Sequence, residues 1–188
     1  MPDNSLFPAP IVMREMNNEQ IAQVYDVWRL IGCVTAKSIV DDRIVDFPFN
    51  ALFWDLVLGK KTSLFDLNKI QPEVAKNFVD FQRMANRRKQ IVQKVSDPEV
   101  LERQLSNIKT SFGAPIEEIG LNFTLPGDPS IELKPDGAKI AVNLENLQEY
   151  IDMTLHYTFH ETLKLQLNAF KKGFNSIFSL ESLKCFSY

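Results

Sequence analysis

The segment LNFTLPGDPSIELKPDGAKIAV, residues 121–142, changes the hydrophobic period of the chain and decides the fold class. At its start, apolar Leu121 and Phe123 alternate with polar neighbours, which is the pattern of a half-buried strand. Turns rich in proline and glycine follow at 126–129 and at 135–137. The alternation returns after each turn, at Ile131, Leu133, Ile140 and Val142. The segment therefore predicts a short antiparallel β-meander of three strands.

Helical patterns precede this segment. From Asn18, apolar residues recur every three or four positions as far as Ile39, which predicts one long helix. A second helix is predicted over residues 51–58, with Asn50 as its N-cap. Residues 62–70 are predicted as a connector.

A third helix is predicted to begin at Pro72 and to run to Val95, because proline fits best in the first turn of a helix. Its apolar residues return every three or four positions along one face. Ser96 or Asp97 is expected to cap the next helix, which is predicted to end near Gly113.

After the meander, one long helix is predicted from its cap Asn143 to Gly173, where two lysines and a glycine favour a helix end. Helices thus stand before and after one small sheet. This order of elements predicts a mainly helical α+β fold.

The composition excludes several classes of protein. The chain has 188 residues and a formal net charge of −3, which argues against a strong nucleic-acid binder. No apolar run reaches the ~20 residues of a membrane-spanning helix, and residues 1–20 lack the pattern of a signal peptide. Two cysteines form no disulfide framework, so the cytoplasm, the nucleus or both are the expected location.

No catalytic residue, metal site or cofactor is predicted from the residues alone. His156 and His160 lie four residues apart, but they are the only two histidines, and a structural metal site usually needs four ligands. The pair Gly59-Lys60 lacks the earlier glycine of a phosphate-binding loop, because that position is Trp54.

Two clusters on the third helix allow more than one interpretation. One cluster is basic and consists of Arg83, Arg87, Arg88 and Lys89. It is typical of a solvated helix face, with a phosphate-binding stripe as the alternative. The other is apolar and consists of Val74, Phe78 and Phe81. Such a stripe usually belongs to the core, and its alternative use is a groove for an anchoring side chain of a partner.

Several short motifs occur in an order that resembles a known family. These motifs are residues 6–10, 30–32, 42–46, 120–127, 131–134, 142–143, 146–151 and 183–186. Together they resemble the N-lobe of HECT-type ubiquitin ligases over nearly the whole chain. Phe7-Pro8-Ala9-Pro10 and residues 123–127 are most similar to the ubiquitin-fusion-degradation branch of that family.

The resemblance implies a HECT N-lobe with two subdomains. The large helical subdomain would comprise residues 1–62 and 173–188 and be incomplete at its N-terminus, while the small subdomain, 63–172, would dock a ubiquitin-loaded conjugating enzyme. The catalytic C-lobe would be absent, since neither Cys33 nor Cys185 matches the family's catalytic motif. The intact enzyme would pass ubiquitin through two thioesters to a substrate lysine. Protein substrates, marked for degradation, would bind regions outside this chain.

The family also implies a groove on the small subdomain that receives a loop of the conjugating enzyme. Matched by position, the groove residues are Val74, Asn77, Phe78, Asp80, Phe81, Leu121, Tyr150 and Thr154. The aromatic residues would be apolar anchors, and Asn77, Asp80 and Thr154 would bond the backbone of the loop. The alternative interpretation is a stand-alone, non-catalytic helical adaptor with a ligase-like fold. Neither interpretation includes a nucleic-acid or membrane partner.

Overall fold

The computed structural model describes residues 5–45 and 47–184. Cys185 and the last residues of the predicted large subdomain, together with Asp46, lie outside the described residues. The described part is mainly helical with one small antiparallel sheet, which confirms the predicted α+β class. Its α-helices are α1 (Asn18–Val40), α2 (Ala51–Val57), α3 (Leu64–Ile70), α4 (Pro72–Lys94), α5 (Pro98–Leu105), α6 (Leu147–His156), α7 (Lys164–Asn175) and α8 (Leu180–Lys184). Its strands are β1 (Thr124–Leu125) and β2 (Asp128–Glu132).

Shorter helical segments connect some of these elements. They are the 3₁₀ helices Met13–Glu15, Ile116–Ile119 and Gly137–Lys139, and the π-helical segment Tyr157–Glu161. Within the described ranges, the chain has no helix that combines the length and the apolarity needed to cross a membrane.

The described residues form two compact units. One contains the residues up to Thr62 and those from Thr158 onward, and the other contains Ser63–Tyr157. The second predicted subdomain boundary, between Lys172 and Gly173, would fall inside α7. The two compact units meet between Tyr157 and Thr158, and α7 packs against α1 within the first unit. The predicted subdomain boundaries stay a prediction.

Two glycines let α1 and α7 approach closely in the first unit. A Cβ atom on Gly32 would meet the carbonyl oxygen of Phe170 and, at 2.9 Å, the nitrogen of Phe174. A Cβ atom on Gly173 would meet the carbonyl oxygen of Arg29. Backbone atoms cannot yield without separating the helices, so both positions need glycine. The prediction that Gly173 ends a helix is wrong, because it lies inside α7.

Aromatic rings fill the core of the first unit around α2. The ring centroid of Phe53 lies 5.7 Å from that of Trp28, 4.4 Å from that of Phe49 and 5.2 Å from that of Phe170. Phe53 and Phe170 are fully buried, and each such ring pair adds ~0.5–1.5 kcal/mol beyond its buried area. As predicted, Asn50 caps α2, accepting a hydrogen bond at 2.8 Å from the N–H two residues later.

The second unit begins with a helix where a connector was predicted. Residues 64–70, which were predicted as part of a connector, form α3. The Asp66 carboxylate accepts hydrogen bonds from the Ser63 N–H at 3.0 Å and from the Ser63 hydroxyl at 2.8 Å. This capping interaction between residues three apart is the local signal for the helix.

The two helices that follow differ in how well they match the prediction. The bounds of α4 agree with it to within one residue, whereas α5 ends at Leu105 and not near Gly113. Asp97, one of the two expected caps, accepts a hydrogen bond at 2.9 Å from the N–H two residues later. After α5 the chain closes a turn in which the Thr110 N–H donates to the Ala114 carbonyl at 2.9 Å.

The sheet of the second unit has two antiparallel strands, β1 and β2, with an irregular register. The third predicted strand is reduced to an isolated antiparallel bridge between Asn122 and Ala141. The Phe123 N–H donates to the carbonyls of Gly137 at 3.0 Å and Ile140 at 3.1 Å. Residues 137–141 therefore lie beside the first strand as a 3₁₀ helix and one isolated bridge, and they do not form a third β-strand.

The long helix predicted after the meander is divided into α6 and α7 by the π-helical segment. The expected cap Asn143 accepts hydrogen bonds from the N–H groups of Glu145 at 2.9 Å and Asn146 at 3.0 Å, which form a turn before α6. The apolar period continues across both helices, so the sequence pattern does not reveal the interruption.

Candidate functional site

The eight predicted groove residues all belong to the second unit. Five are on α4, two are on α6, and Leu121 precedes β1. The structure gathers the aromatic members into one buried cluster, engages Asp80 with the loop after α5, and leaves Asn77 on the surface.

Phe78, Phe81 and Tyr150 form the apolar core between α4 and α6. The ring centroid of Phe78 lies 5.5 Å from that of Phe81 and 5.7 Å from that of Tyr150. Phe123 meets Tyr150 edge-on at 5.6 Å. Phe78 and Tyr150 are 1% exposed and Phe81 is 7% exposed. Side chains this deeply buried offer a partner almost no contact area. Their role is to pack α4 against α6 beneath the surface residues.

Tyr150 and Thr154 lie one turn apart on the buried side of α6. The Tyr150 hydroxyl donates to the Thr124 carbonyl over 3.5 Å, which is at the limit for a hydrogen bond. Burial raises the pKa of Tyr150 to about 12, and the neighbouring Thr154 hydroxyl opposes that rise. Thr154 Oγ1 makes no hydrogen bond of good geometry with the part of the chain that the structure describes. It is a buried polar atom without a clear partner.

Asp80 of α4 uses both carboxylate oxygens. Oδ1 accepts hydrogen bonds from Arg83 Nη2 at 2.7 Å and Nε at 3.0 Å, and Oδ2 accepts one from the Ser111 N–H at 2.7 Å. Arg83 also donates to the Lys109 carbonyl at 2.9 Å. Burial raises the pKa of the Asp80 carboxyl, but the Ser111 N–H and the Arg83 guanidinium outweigh burial and leave it below the usual value. Asp80 thereby holds residues 109–111 against α4.

Three of the predicted groove residues reach the surface and, among the described residues, make no side-chain hydrogen bond or ion pair of the kind that Asp80 makes. They are Asn77, Val74 and Leu121. Asn77 is exposed, while Val74 and Leu121 are half-buried. The Asn77 side chain has no hydrogen-bond partner within the described ranges. Its amide is therefore available to bond the backbone of a partner, which is the role predicted for it.

Residues 106–114, which follow α5, contain no helix. This segment was predicted as the end of a helix. The residue that indicates a turn here is Gly113, which adopts a φ of +85° that few other residues tolerate. Phe112 on this segment is 85% exposed, which is unusual for a phenylalanine. A sequence pattern cannot report that exposure, because a phenylalanine normally predicts burial.

Neither of the two histidines takes part in a metal centre that the structure shows. Over the described residues, no group of three or more His, Cys, Asp and Glu side chains is gathered as a metal ion requires. His156 ends α6 and His160 lies in the π-helical segment.

Comparison with known proteins decides the family. The HECT-domain (ubiquitin-transferase) family matches residues 2–188 of this chain. The chain belongs to the HECT family. The resemblance that the sequence motifs indicated is thereby confirmed.

Relatives of this HECT chain bear the names of ubiquitin ligases. It is 34% identical to E3 ubiquitin-protein ligase UPL4 of Arabidopsis thaliana over 98% of this chain and 12% of that protein. It is 34% identical to E3 ubiquitin-protein ligase TRIP12 of Danio rerio over 96% of this chain and 9% of that protein. Ubiquitin fusion degradation protein 4 of Saccharomyces cerevisiae is 29% identical over 95% of this chain and 11% of that protein. The relatives thus include the predicted branch, and this chain spans about a tenth of their length.

Cys33 of this HECT chain has a packing role. Its thiol donates to the Gly173 carbonyl at 3.3 Å and lies 3.5 Å from the Ser176 hydroxyl. The thiol therefore lies within the close contact between α1 and α7. The expectation that the catalytic cysteine lies elsewhere stays a prediction.

Proposed function

We propose that the intact protein is a HECT-type ubiquitin-protein ligase in which this chain recruits a ubiquitin-loaded conjugating enzyme. The match of the ubiquitin-transferase family to residues 2–188 carries the proposal. In such a ligase, a cysteine thiolate attacks the thioester between ubiquitin and the conjugating enzyme, and the thiolate of the conjugating enzyme leaves. The new thioester then passes ubiquitin to a substrate lysine. The attacking cysteine and the substrate-binding regions are proposed to lie outside this chain.

The proposed docking surface is formed by Asn77 and Val74 on α4 together with Leu121. Asn77 supplies an amide for the backbone of the incoming loop, and the two aliphatic side chains supply apolar contact. Interfaces of this kind are small, and a few residues carry most of their binding energy. Weak docking suits a carrier that must leave after each transfer.

The buried aromatic cluster supports this proposal by holding the surface in place. Phe78 and Tyr150 pack their rings 5.7 Å apart and so fix α4 against α6. The position of Asn77 on α4 is therefore set before a partner arrives. A preorganised surface loses less conformational entropy on binding than a flexible one.

The test is a titration of the full chain against a panel of conjugating enzymes that carry ubiquitin through a stable linkage. We expect micromolar affinity for at least one of them. Asn77→Arg should weaken binding at least tenfold, because a larger charged side chain replaces the amide. The matched control is Gln93→Arg, which makes the same kind of change at another exposed position of α4. It should leave the affinity within twofold.

Two outcomes would contradict the proposal at different levels. Unchanged affinity in Asn77→Arg would place docking elsewhere on the chain and leave the recruiting role intact. Absence of binding across the panel, from a chain with native circular dichroism, would contradict the recruiting role. That second outcome would favour the non-catalytic adaptor, while membership of the HECT family would stand.

A further inference from the structure

The C-terminal half of α4 has a basic surface that the proposed docking does not use. From position 83 to position 94 this helix carries five cations and no carboxylate, although the whole chain has a net charge of −3. The cations are Arg83, Arg87, Arg88, Lys89 and Lys94. The sequence pattern alone favours a solvated face, but the structure adds two cavities beside it.

The first cavity lies between α4, α5 and the segment that follows α5. Its volume is about 460 Å³. Arg83, Arg87 and Lys109 place three cationic side chains around it. Ile91 and Ile108 also line it and are only 4% and 8% exposed, so they form an apolar floor.

The second cavity lies on the other side of the same two arginines. Its volume is about 470 Å³, and Leu64 and Val79 supply its aliphatic part. Arg83 and Arg87 line both cavities and form a ridge between them. None of the described residues that line either cavity is Asp or Glu. A ligand that lies across the ridge would meet cations at its centre and apolar surface on each side.

The three cations that line the first cavity differ in how many ion pairs and hydrogen bonds they already make. Arg83 is paired with Asp80 at 2.7 Å and donates to the Lys109 carbonyl. The side chains of Arg87 and Lys109 are exposed and make no ion pair or hydrogen bond with the described residues. These two cations are therefore available to an anionic partner, and the apolar floor beside them strengthens such pairing by lowering the local dielectric constant.

We infer that this surface binds an acidic peptide segment of a partner protein, in which Asp or Glu residues flank a large aliphatic side chain. The carboxylates pair with Arg87 and Lys109, and the aliphatic side chain enters the cavity over Ile91 and Ile108. Side-chain amides that line the cavities, such as Gln104 and Asn86, are placed to bond the peptide backbone.

The shape and composition of the cavities favour this ligand over other anions. A lone phosphate or carboxylate group would leave most of a cavity of about 460 Å³ empty and would not use its aliphatic floor. Single-stranded nucleic acid binds largely by stacking its bases on aromatic rings. None of the described residues that line the two cavities is aromatic.

The test is fluorescence anisotropy with the full chain and a labelled short peptide of Asp and Glu around one central Leu. We expect binding that weakens as salt is added. Arg87→Glu and Lys109→Glu should each weaken it at least tenfold. The matched control is Lys89→Glu, which makes the same charge change on α4 at a position that lines neither cavity. It should weaken binding less than threefold, and the same peptide with Gly in place of Leu should bind at least tenfold more weakly.

Each contrary result overturns the inference. No binding to the wild-type chain removes it outright. Equal losses in Lys89→Glu and Arg87→Glu would show attraction to the net charge alone, and an unchanged affinity for the Gly peptide would show that the apolar floor is unused. An oligouridine that binds as tightly and displaces the peptide would show a nucleic-acid surface. Circular dichroism of every variant checks the fold, with Arg87→Gln as the milder variant if Arg87→Glu does not fold.

Discussion

Replacement of Phe78 by alanine distinguishes a core residue from a binding anchor. Phe78 is 1% exposed, and its ring packs between those of Phe81 and Tyr150. Truncation of a buried phenylalanine costs ~3–5 kcal/mol, because apolar contacts are lost and a cavity remains. The total stability of a domain is ~5–15 kcal/mol. With a urea m value of ~2 kcal/mol/M, the midpoint of unfolding should fall by about 2 M.

The matched control for this change is Phe65→Ala in the same unit. Phe65 is 70% exposed, and the Lys69 ammonium lies 4.7 Å from the centroid of its ring. An exposed cation–π contact contributes ~0.5–1 kcal/mol, so this variant should lose at most about 1 kcal/mol. Urea unfolding followed by far-UV circular dichroism measures both variants. Tryptophan fluorescence is unsuitable here, because Trp28 and Trp54 both lie in the first unit.

Hydrogen exchange of the α4 and α6 amides locates the effect. In Phe78→Ala these amides should exchange faster, since the ring cluster joins the two helices. A Phe78→Ala chain as stable as Phe65→Ala would refute the assignment of Phe78 to the core. If that stable variant also failed to bind the conjugating enzyme, Phe78 would be the anchor that its position in the family implies.

Three further predictions concern individual contacts. Asp80→Asn should destabilise the chain near neutral pH, because the pKa of Asp80 is lower in the folded state than in the unfolded state. The contribution of the Asp80 carboxylate to stability is fully present above the unfolded pKa of ~3.9 and is lost as the pH falls through the folded pKa. Urea midpoints over a pH series should therefore show the gap between wild type and Asp80→Asn narrowing below pH ~4. Gly173→Ala should lower the free energy of unfolding by ~1–3 kcal/mol, because the Cβ atom of alanine would meet the Arg29 carbonyl. Unfolding monitored by tryptophan fluorescence measures this change. Alanine is the better helix former, so a gain in stability would contradict the close contact between α1 and α7. Asp97→Ala should cost ~1 kcal/mol and Ser96→Ala close to none, since only Asp97 caps α5, and equal losses would contradict that cap.

The long helices could be predicted from the sequence because their apolar residues recur over many turns. The start of α4 was marked by Pro72 and its extent by a period sustained to Val95, and the structure agrees to within one residue. A helix as short as α3 has too few apolar residues to show a period. Its cap, Ser63 with Asp66, was the only local signal, and a search for residues three apart that cap each other would have found it.

Packing decided the elements that the sequence could not predict. Gly173 carries the pattern of a helix end, with two lysines before it, yet α7 continues past it. It is glycine because the backbone of α1 lies against it, and only the folded structure shows that neighbour. The division between α6 and α7 is hidden for a related reason, since apolar residues fit either side of a π-helical turn.

The candidate site shows the same limit at the level of side chains. The helical period correctly places Val74, Phe78 and Phe81 toward one side of α4, but it does not say whether that side is covered. Burial leaves the middle of this stripe in the core and only its first turn near the surface. A family resemblance assigns positions to a groove, whereas contact with a partner also requires exposure, and for that reason we propose Asn77, Val74 and Leu121 as the contact residues.

Asp80 connects the two surfaces that we assign to α4. Its carboxylate holds the Ser111 N–H at 2.7 Å and pairs with Arg83, whose guanidinium also holds the Lys109 carbonyl. These bonds keep the segment after α5 in place, and that segment supplies Ile108 and Lys109 to the basic cavity. Asp80 was predicted to bond the loop of a conjugating enzyme, and its carboxylate already accepts three hydrogen bonds, two from Arg83 and one from the Ser111 N–H. Asp80 therefore helps to position the segment that lines the proposed acidic-peptide surface. A partner that displaced Ser111 or Arg83 from the Asp80 carboxylate would release this segment from α4.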